Sequence, residues 1–109
     1  MSNSKELFRQ AEQLKDAGQV VEAKKILEDL LQADPSHVLG HLTLARICTQ
    51  LGEHESAVQH AEEACKLEPN EAFNYTILSV TYQKAWAGTQ DQRYIQLAEE
   101  AMARSQMLG

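Results

Sequence analysis

The sequence predicts an all-α protein of six helices, arranged as three helix–turn–helix units. A pattern with a period of about 34 residues runs along the chain, and apolar residues recur three and four positions apart within each period. Strand signals are nearly absent, because β-branched residues are scattered and no run alternates with a period of two. The predicted helices cover residues 4–17, 20–33, 37–51, 54–67, 71–87 and 92–107.

The first unit shows how each helix pair is specified. Leu7, Ala11 and Leu14 form an apolar stripe along the first helix, and Gly18 ends it. The second helix carries a longer stripe made of Ala23, Ile26, Leu27, Leu30 and Leu31. Pro35 stops this helix and begins the next unit, since proline cannot continue a helix but suits a first turn.

The second unit repeats this pattern after a shift that carries Pro35 onto Pro69, which we call the repeat step. Small residues recur where helices must approach closely, glycine where a helix must end, and proline where the next element starts. The other matched pairs are Ala11 with Ala45, Gly18 with Gly52, Ala23 with Ala57, and Glu28 with Glu62.

The third unit keeps the repeat step through its first helix and then lengthens it by three positions, which aligns the AEEA of residues 61–64 with that of residues 98–101. The three extra residues fall within 85–92, and we expect a widened, mobile turn there. No proline follows the second AEEA, so the last helix is predicted to run on toward the C-terminus.

These units resemble the tetratricopeptide repeat. The resemblance is carried by Leu7, Gln10, Ala11, Leu14, Ala23, Leu27 and Pro35, then His41, Leu44, Ala45, Cys48, Ala57, Ala61 and Pro69, then Tyr75, Leu78, Ser79, Tyr82, Tyr94 and Ala98. It implies a right-handed α-solenoid, with residues 1–109 forming a single domain of repeats at about 4–37, 38–71 and 72–108. Four positions depart from the family pattern: His41, Cys48 and Ala61 are small for their places, and Tyr94 stands where alanine is usual.

Charge and composition narrow the classes of partner. The net charge of −6 disfavours nucleic acid and anionic membranes. No apolar run approaches the roughly 18 to 20 residues of a spanning helix, and the first residues lack a signal-peptide core. We therefore expect a cytoplasmic protein in which Cys48 and Cys65 are buried, reduced thiols.

No catalytic or metal site is predicted. His37 and His41 could share a helix face, but a zinc site needs three or four converging ligands, and the remaining histidines have no such spacing. Phosphate-binding loops, nucleophile elbows and metalloprotease motifs are all missing from the sequence. The expectation is a protein that is not an enzyme and has no cofactor.

The resemblance implies that the first helices line a concave groove, which holds an extended peptide or a helix of another protein. The candidate groove residues are Phe8, Glu12, Leu42, Arg46, Phe73, Ile77 and Val80. Several of them are apolar and lie off the narrow stripes that pack helix on helix, so they widen the apolar face. The alternative is that this wide face is simply the core of the stack.

Arg46 is the cation expected in the middle of this groove, where it could hold a ligand carboxylate or pair with Glu12. The family's carboxylate clamp for chaperone C-termini is excluded, because none of its lysines, asparagines or arginine has a counterpart. The corresponding positions hold Phe8, Glu12, Thr43, Phe73 and Ile77.

The end of the stack raises a second possible function. Apolar residues on or beside the last helix are Ile95, Leu97, Met102, Met107 and Leu108. Either they fold back on the third unit, with Trp86 and Tyr94 filling the widened turn, or they mediate self-association. The alternative function is therefore a self-assembling structural unit, a homo-oligomer formed through the groove or through the C-terminal helix. The sequence does not identify the protein partner.

Overall fold

A computed structural model describes residues 3–109, and this part of the chain contains six helices and no strand. All six predicted helices are confirmed, with ends that differ only slightly from the sequence prediction. They are α1 (Ser4–Asp16), α2 (Val20–Ala33), α3 (Val38–Gln50), α4 (His54–Leu67), α5 (Ala72–Thr89) and α6 (Arg93–Leu108).

The helices pair in chain order, as the periodicity of the sequence predicts. Unit 1 consists of α1 and α2, unit 2 of α3 and α4, and unit 3 of α5 and α6. Neighbouring units meet where α2 packs on α3 and α4 packs on α5. The result is an α-solenoid measuring 42 × 28 × 21 Å.

Units 1 and 2 turn in the same way at a glycine. Gly18 and Gly52 have φ values of 82° and 79°, in the left-handed region that favours residues without a Cβ. In each turn the next residue reaches back to the preceding helix: Gln19 N donates to Leu14 O and Glu53 N donates to Cys48 O, both at 2.8 Å. The two glycines are therefore equivalent C-terminal caps.

The two prolines are equivalent as well. His41 Nε2 lies 2.8 Å from Pro35 O, and one repeat step later the Tyr75 hydroxyl donates to Pro69 O over 2.9 Å. A histidine ring thus makes the same contact as a tyrosine hydroxyl. This hydrogen bond explains how His41 serves at a position where a larger residue is usual.

Three clusters of buried side chains form the core. One joins units 1 and 2 around Leu27, Leu30 and Leu44, and a second joins units 2 and 3 around Ala61, Leu78 and Tyr82. In the second cluster Tyr94 stacks on Tyr82 with 5.9 Å between ring centroids, so the tyrosine that replaces the usual alanine packs beside the core. The third cluster contains Leu42, Ala64 and Ile77.

The wide turn expected in unit 3 is not formed. The extra residues lengthen α5, which continues through Gly88 to Thr89, and Gln90 ends the helix in a left-handed conformation with φ 62°. Only residues 90–92 separate α5 from α6. The last turn of α5 lies close to α4, because a Cβ built on Gly88 would fall 2.1 Å from His54 Nε2.

The apolar residues near the C-terminus do not all fold back on unit 3. Ala98 and Ala101 are buried, whereas Trp86, Ile95 and Met107 are exposed. The side chains of α6 therefore divide between a buried inner face and an exposed apolar outer face.

Candidate functional site

The first helices of units 2 and 3, α3 and α5, lie on the inner side of the stack. Helix α3 packs against α5 more closely than α4 packs against α6, so the solenoid curves toward the first helices. We call the surface formed by α3 and α5 on this side the groove. Its exposed side chains come in pairs separated by one repeat step: Leu39 with Phe73, Arg46 with Val80, and Gln50 with Lys84.

A cleft of about 520 Å³ lies between α3 and α5 in the middle of the groove. This volume is within the range of ordinary ligand sites. Ile77 and Val80 give it an apolar wall, and Val80 is 41% exposed. Its remaining lining residues are Arg46, Thr49, Gln50, Thr81 and Lys84.

Two cations border this cleft, and no acidic residue lines it. Within residues 3–109, neither Arg46 nor Lys84 takes part in an ion pair. Both charges are therefore accessible to a ligand in a protein whose net charge is −6. A ligand carboxylate could accept hydrogen bonds from Arg46 in a bidentate arrangement.

The predicted groove residues Leu42 and Ile77 are largely buried. Both belong to the small cluster with Ala64, which seals the junction between units 2 and 3. Ile77 also reaches the wall of the cleft, whereas Leu42 does not. Phe73 lies on α5, as Ile77 does, and is 52% exposed, so its ring is available for contact with a ligand.

The predicted residues of α1 lie away from the cleft. Phe8 packs against the His37 ring with 5.3 Å between centroids, and Glu12 pairs with Lys15 over 3.2 Å. Both line a separate depression on α1. The alternative ion pair between Glu12 and Arg46 is not formed within the described residues.

The candidate groove residues include Arg46 as the one central cation, but they do not include Gln50, Thr81 and Lys84, which also line the cleft. Gln50 and Lys84 each lie four residues, about one helical turn, beyond Arg46 and Val80, so helical spacing contained a signal for both.

A pair of histidines, His41 and His60, lies between α3 and α4. His41 Nδ1 and His60 Nδ1 are 3.1 Å apart, although their spacing in the sequence did not indicate convergence. His41 Nε2 must donate to Pro35 O, because a carbonyl only accepts; His41 Nδ1 is then the acceptor and His60 Nδ1 the donor. Burial, and then the neighbouring His41, lower the pKa of His60.

The two cysteines are buried free thiols. Burial raises the pKa of both Cys48 and Cys65 to about 11, which keeps them protonated at neutral pH and therefore poorly nucleophilic. Across residues 3–109, no three or more histidine, cysteine or acidic side chains are placed to hold a metal ion. None of the helices in this described range is long and apolar enough to cross a membrane.

Comparisons with known proteins agree on the fold. The sequence profile of the tetratricopeptide repeat matches residues 14–75. A thermophilic tetratricopeptide protein of Thermus thermophilus superimposes with a TM-score of 0.83 at 20% identity, over 97% of this chain and 57% of that one. MamA from Desulfovibrio magneticus RS-1, from residue 41 to its end, gives 0.78 at 19% identity, over 97% and 56%.

These structural likenesses show the fold alone, because the identities are low. The chain spans little more than half the length of either solved structure. A comparison with curated protein sequences found no match.

Proposed function

Because the chain belongs to the tetratricopeptide repeat family, whose fold generally mediates protein–protein interaction or assembly, we propose that the groove binds a peptide segment of a partner protein. The preferred segment carries acidic and apolar side chains. The cleft between α3 and α5 supports this most directly, since it combines an apolar wall with two cations that have no ion-pair partner within residues 3–109. No catalytic step is part of the proposal, and the cytoplasmic location expected from the sequence stays a prediction.

The proposed binding mode places an acidic side chain between Arg46 and Lys84. An apolar side chain then packs on Val80 and Ile77, and a second one on the exposed ring of Phe73. Leu42 lies beneath this surface and supports it, whereas Phe8 and Glu12 would contact a segment that extends past α1. We also propose that residues 1–109 act as one module with unit boundaries near 37 and 71.

Panning a phage-displayed library of random peptides on the immobilised protein tests this function. We expect the selected peptides to combine Asp or Glu with Leu, Ile or Phe. Val80→Asp should weaken their binding by about 1 to 3 kcal/mol if this position is a hot spot. The double variant Arg46→Glu, Lys84→Glu should lose the acidic peptides and select basic ones.

Lys25→Glu is the matched control, because Lys25 is an exposed cation on α2, outside the groove. This variant should select the same peptides as the wild type. Ile77→Ala is a poor test, since Ile77 is buried and its truncation would destabilise the stack as well. Unchanged selection by the double charge variant would contradict the proposed function.

Self-association is the other function that the sequence leaves open. A dimer formed through the groove would hide Arg46 and Val80 from peptide. Sedimentation over a range of protein concentrations separates the two functions, because a dimer that blocks peptide binding would favour assembly.

A further inference from the structure

The outer surface of unit 3 carries a second cleft, of about 610 Å³, that the groove does not include. We call this surface the end face. Its lining residues include the apolar Trp86, Ile95 and Met102 and the polar Gln83 and Glu99. The remaining lining residues are Ser79, Ala87, Tyr94 and Ala98.

The repeat shows what covers such a surface elsewhere in the molecule. The lengthened step that aligns the two AEEA segments places Ile95 at the position of Val58. Val58 is 7% exposed because it packs in the core cluster to which α5 contributes, whereas Ile95 is 41% exposed. Met102 likewise occupies the position of buried Cys65. The end face thus corresponds to an inter-unit surface that no helix within residues 3–109 covers.

A polar contact in unit 2 shows which chemical group a helix contributes when it packs on such a surface. Glu62 of α4 accepts a hydrogen bond from the Tyr82 hydroxyl of α5. Glu99 occupies the position of Glu62, and it forms neither an ion pair nor a side-chain hydrogen bond within residues 3–109. A helix on the end face should therefore present a donor to Glu99.

Head-to-tail stacking with another copy does not supply that helix. In unit 2, Gly40, Thr43 and Ile47 are buried on the side of α3 that meets unit 1. The residues one repeat step earlier, in α1, are Glu6, Arg9 and Gln13, all polar. Placing them on the end face would bury polar groups against an apolar surface.

Two-fold pairing of two end faces is also disfavoured. A two-fold interface brings the same patch of both subunits together, so two Glu99 carboxylates would enter one apolar interface. No lysine or arginine lines the cleft to compensate them. The charge of the surface is better matched by a helix of a different protein.

We propose that the end face binds an amphipathic α-helix of a partner protein, packed across α6 as α5 packs across α4. Its apolar stripe covers Ile95, Met102 and Trp86, and a tyrosine hydroxyl or a lysine ammonium donates to Glu99. This site is separate from the groove and uses neither Arg46 nor Lys84.

The test uses a peptide that already has the required features. Residues 72–85 of the chain include Leu78, Tyr82 and Ala85, which contribute to the core on α4, and they contain no tryptophan. Trp86 is the single tryptophan of the protein, so its emission reports occupation of the end face. Adding the peptide, stapled into a helix, to the intact protein should shift this emission to shorter wavelength and saturate.

Variants of the protein and of the peptide locate the contact. Ile95→Glu and Glu99→Lys in the protein should each weaken binding roughly tenfold. The peptide with Tyr82→Phe should also bind more weakly, because it lacks the donor. Val21→Glu, an exposed apolar position on α2, and Arg46→Glu in the groove should bind the peptide as the wild type does.

Four results would overturn the proposal. The first is no saturable change in Trp86 emission, and the second is equal binding by Ile95→Glu and the wild type. The third is a wild-type dimer in sedimentation that Ile95→Glu dissociates, since a second copy would then occupy the end face. The fourth is loss of binding in Arg46→Glu alone, which would assign the peptide to the groove and reject the end-face site while leaving the proposed function intact.

Discussion

At the scale of single residues, the His41–His60 pair links acid to stability. His60 is half-buried beside the His41 ring, and its burial, and then the neighbouring His41, disfavour the charged form of its imidazole. Pro35, Gln59 and Glu63 also line this site, and the Glu63 carboxylate partly opposes the lowering of the His60 pKa.

We predict that the stability of the protein falls as the pH drops from neutral through the ordinary histidine pKa of 6.5 toward the lower folded value of His60. In this window the unfolded chain binds the proton more readily than the folded one, so acid favours unfolding. Urea midpoints between about pH 7 and pH 5 measure the effect. The urea midpoint of His60→Gln should fall less steeply with decreasing pH than that of the wild type. An equally steep fall would show that other groups cause the loss of stability in acid.

The capping glycines give a second prediction at this scale. Gly52→Ala should destabilise the protein by about 1 kcal/mol, because the left-handed φ of 79° strains an alanine even though its Cβ meets nothing within 4 Å. Gly52→Asn should recover part of the loss, since asparagine tolerates this conformation. Equal urea denaturation curves for Gly52→Ala and Gly52→Asn would contradict the view that backbone strain causes the loss of stability.

At the scale of elements, the length of α5 distinguishes unit 3. Its last turn contains Gly88 and Thr89, which the sequence pattern places in the turn after the helix. The Thr89 hydroxyl donates a hydrogen bond to Ala85 O over 2.7 Å, and Gly88, which has no side chain, leaves room for the His54 ring. The helix therefore continues beyond the point where turn residues indicated its end.

We predict that deleting residues 87–89 leaves the protein folded and restores the repeat step of the first two units. The loss should be roughly 1 kcal/mol, from the contact of this turn with α4. Deleting residues 90–92 instead should cost more, because these residues alone connect α5 to α6. Circular dichroism and urea denaturation measure both variants, and an unfolded 87–89 deletion would show that the extra turn is essential core.

The sequence predicts the helices of this protein better than it predicts the contacts between them. The six helices followed from apolar spacing, Gly18, Gly52 and the two prolines, because these signals are local. The burial of Leu42 and Ile77 depends on how closely α3 approaches α5 and α4, which no local pattern reports. The contact between His41 and His60 likewise depends on how α3 packs on α4, which the spacing of the two residues in the sequence does not report.

At the scale of the whole molecule, the two junctions between units differ. Helix α4 packs on α5 more extensively than α2 packs on α3. Stability in a solenoid is approximately the sum of the stabilities of the units and of their interfaces. Unit 1 is therefore the more weakly attached terminal unit.

We predict that amide hydrogen exchange is slowest in unit 2, within residues 38–67, and faster in unit 1 than in unit 3. Unit 2 has a neighbour on each side, and unit 3 shares the larger junction with it. Exchange followed by mass spectrometry resolves the units. Uniform protection, or a unit 3 that opens before unit 1, would contradict this order.

The contrast between the polar outer side of α1 and the apolar end face gives the array a direction of growth. A duplicated unit added after unit 3 would land on Ile95 and Met102, a surface already suited to a helix. The same unit added before unit 1 would meet Glu6, Arg9 and Gln13. Lengthening by tandem duplication, in evolution or in the laboratory, should thus succeed at the carboxyl-terminal side, whereas a unit added at the amino-terminal side would pack against polar residues.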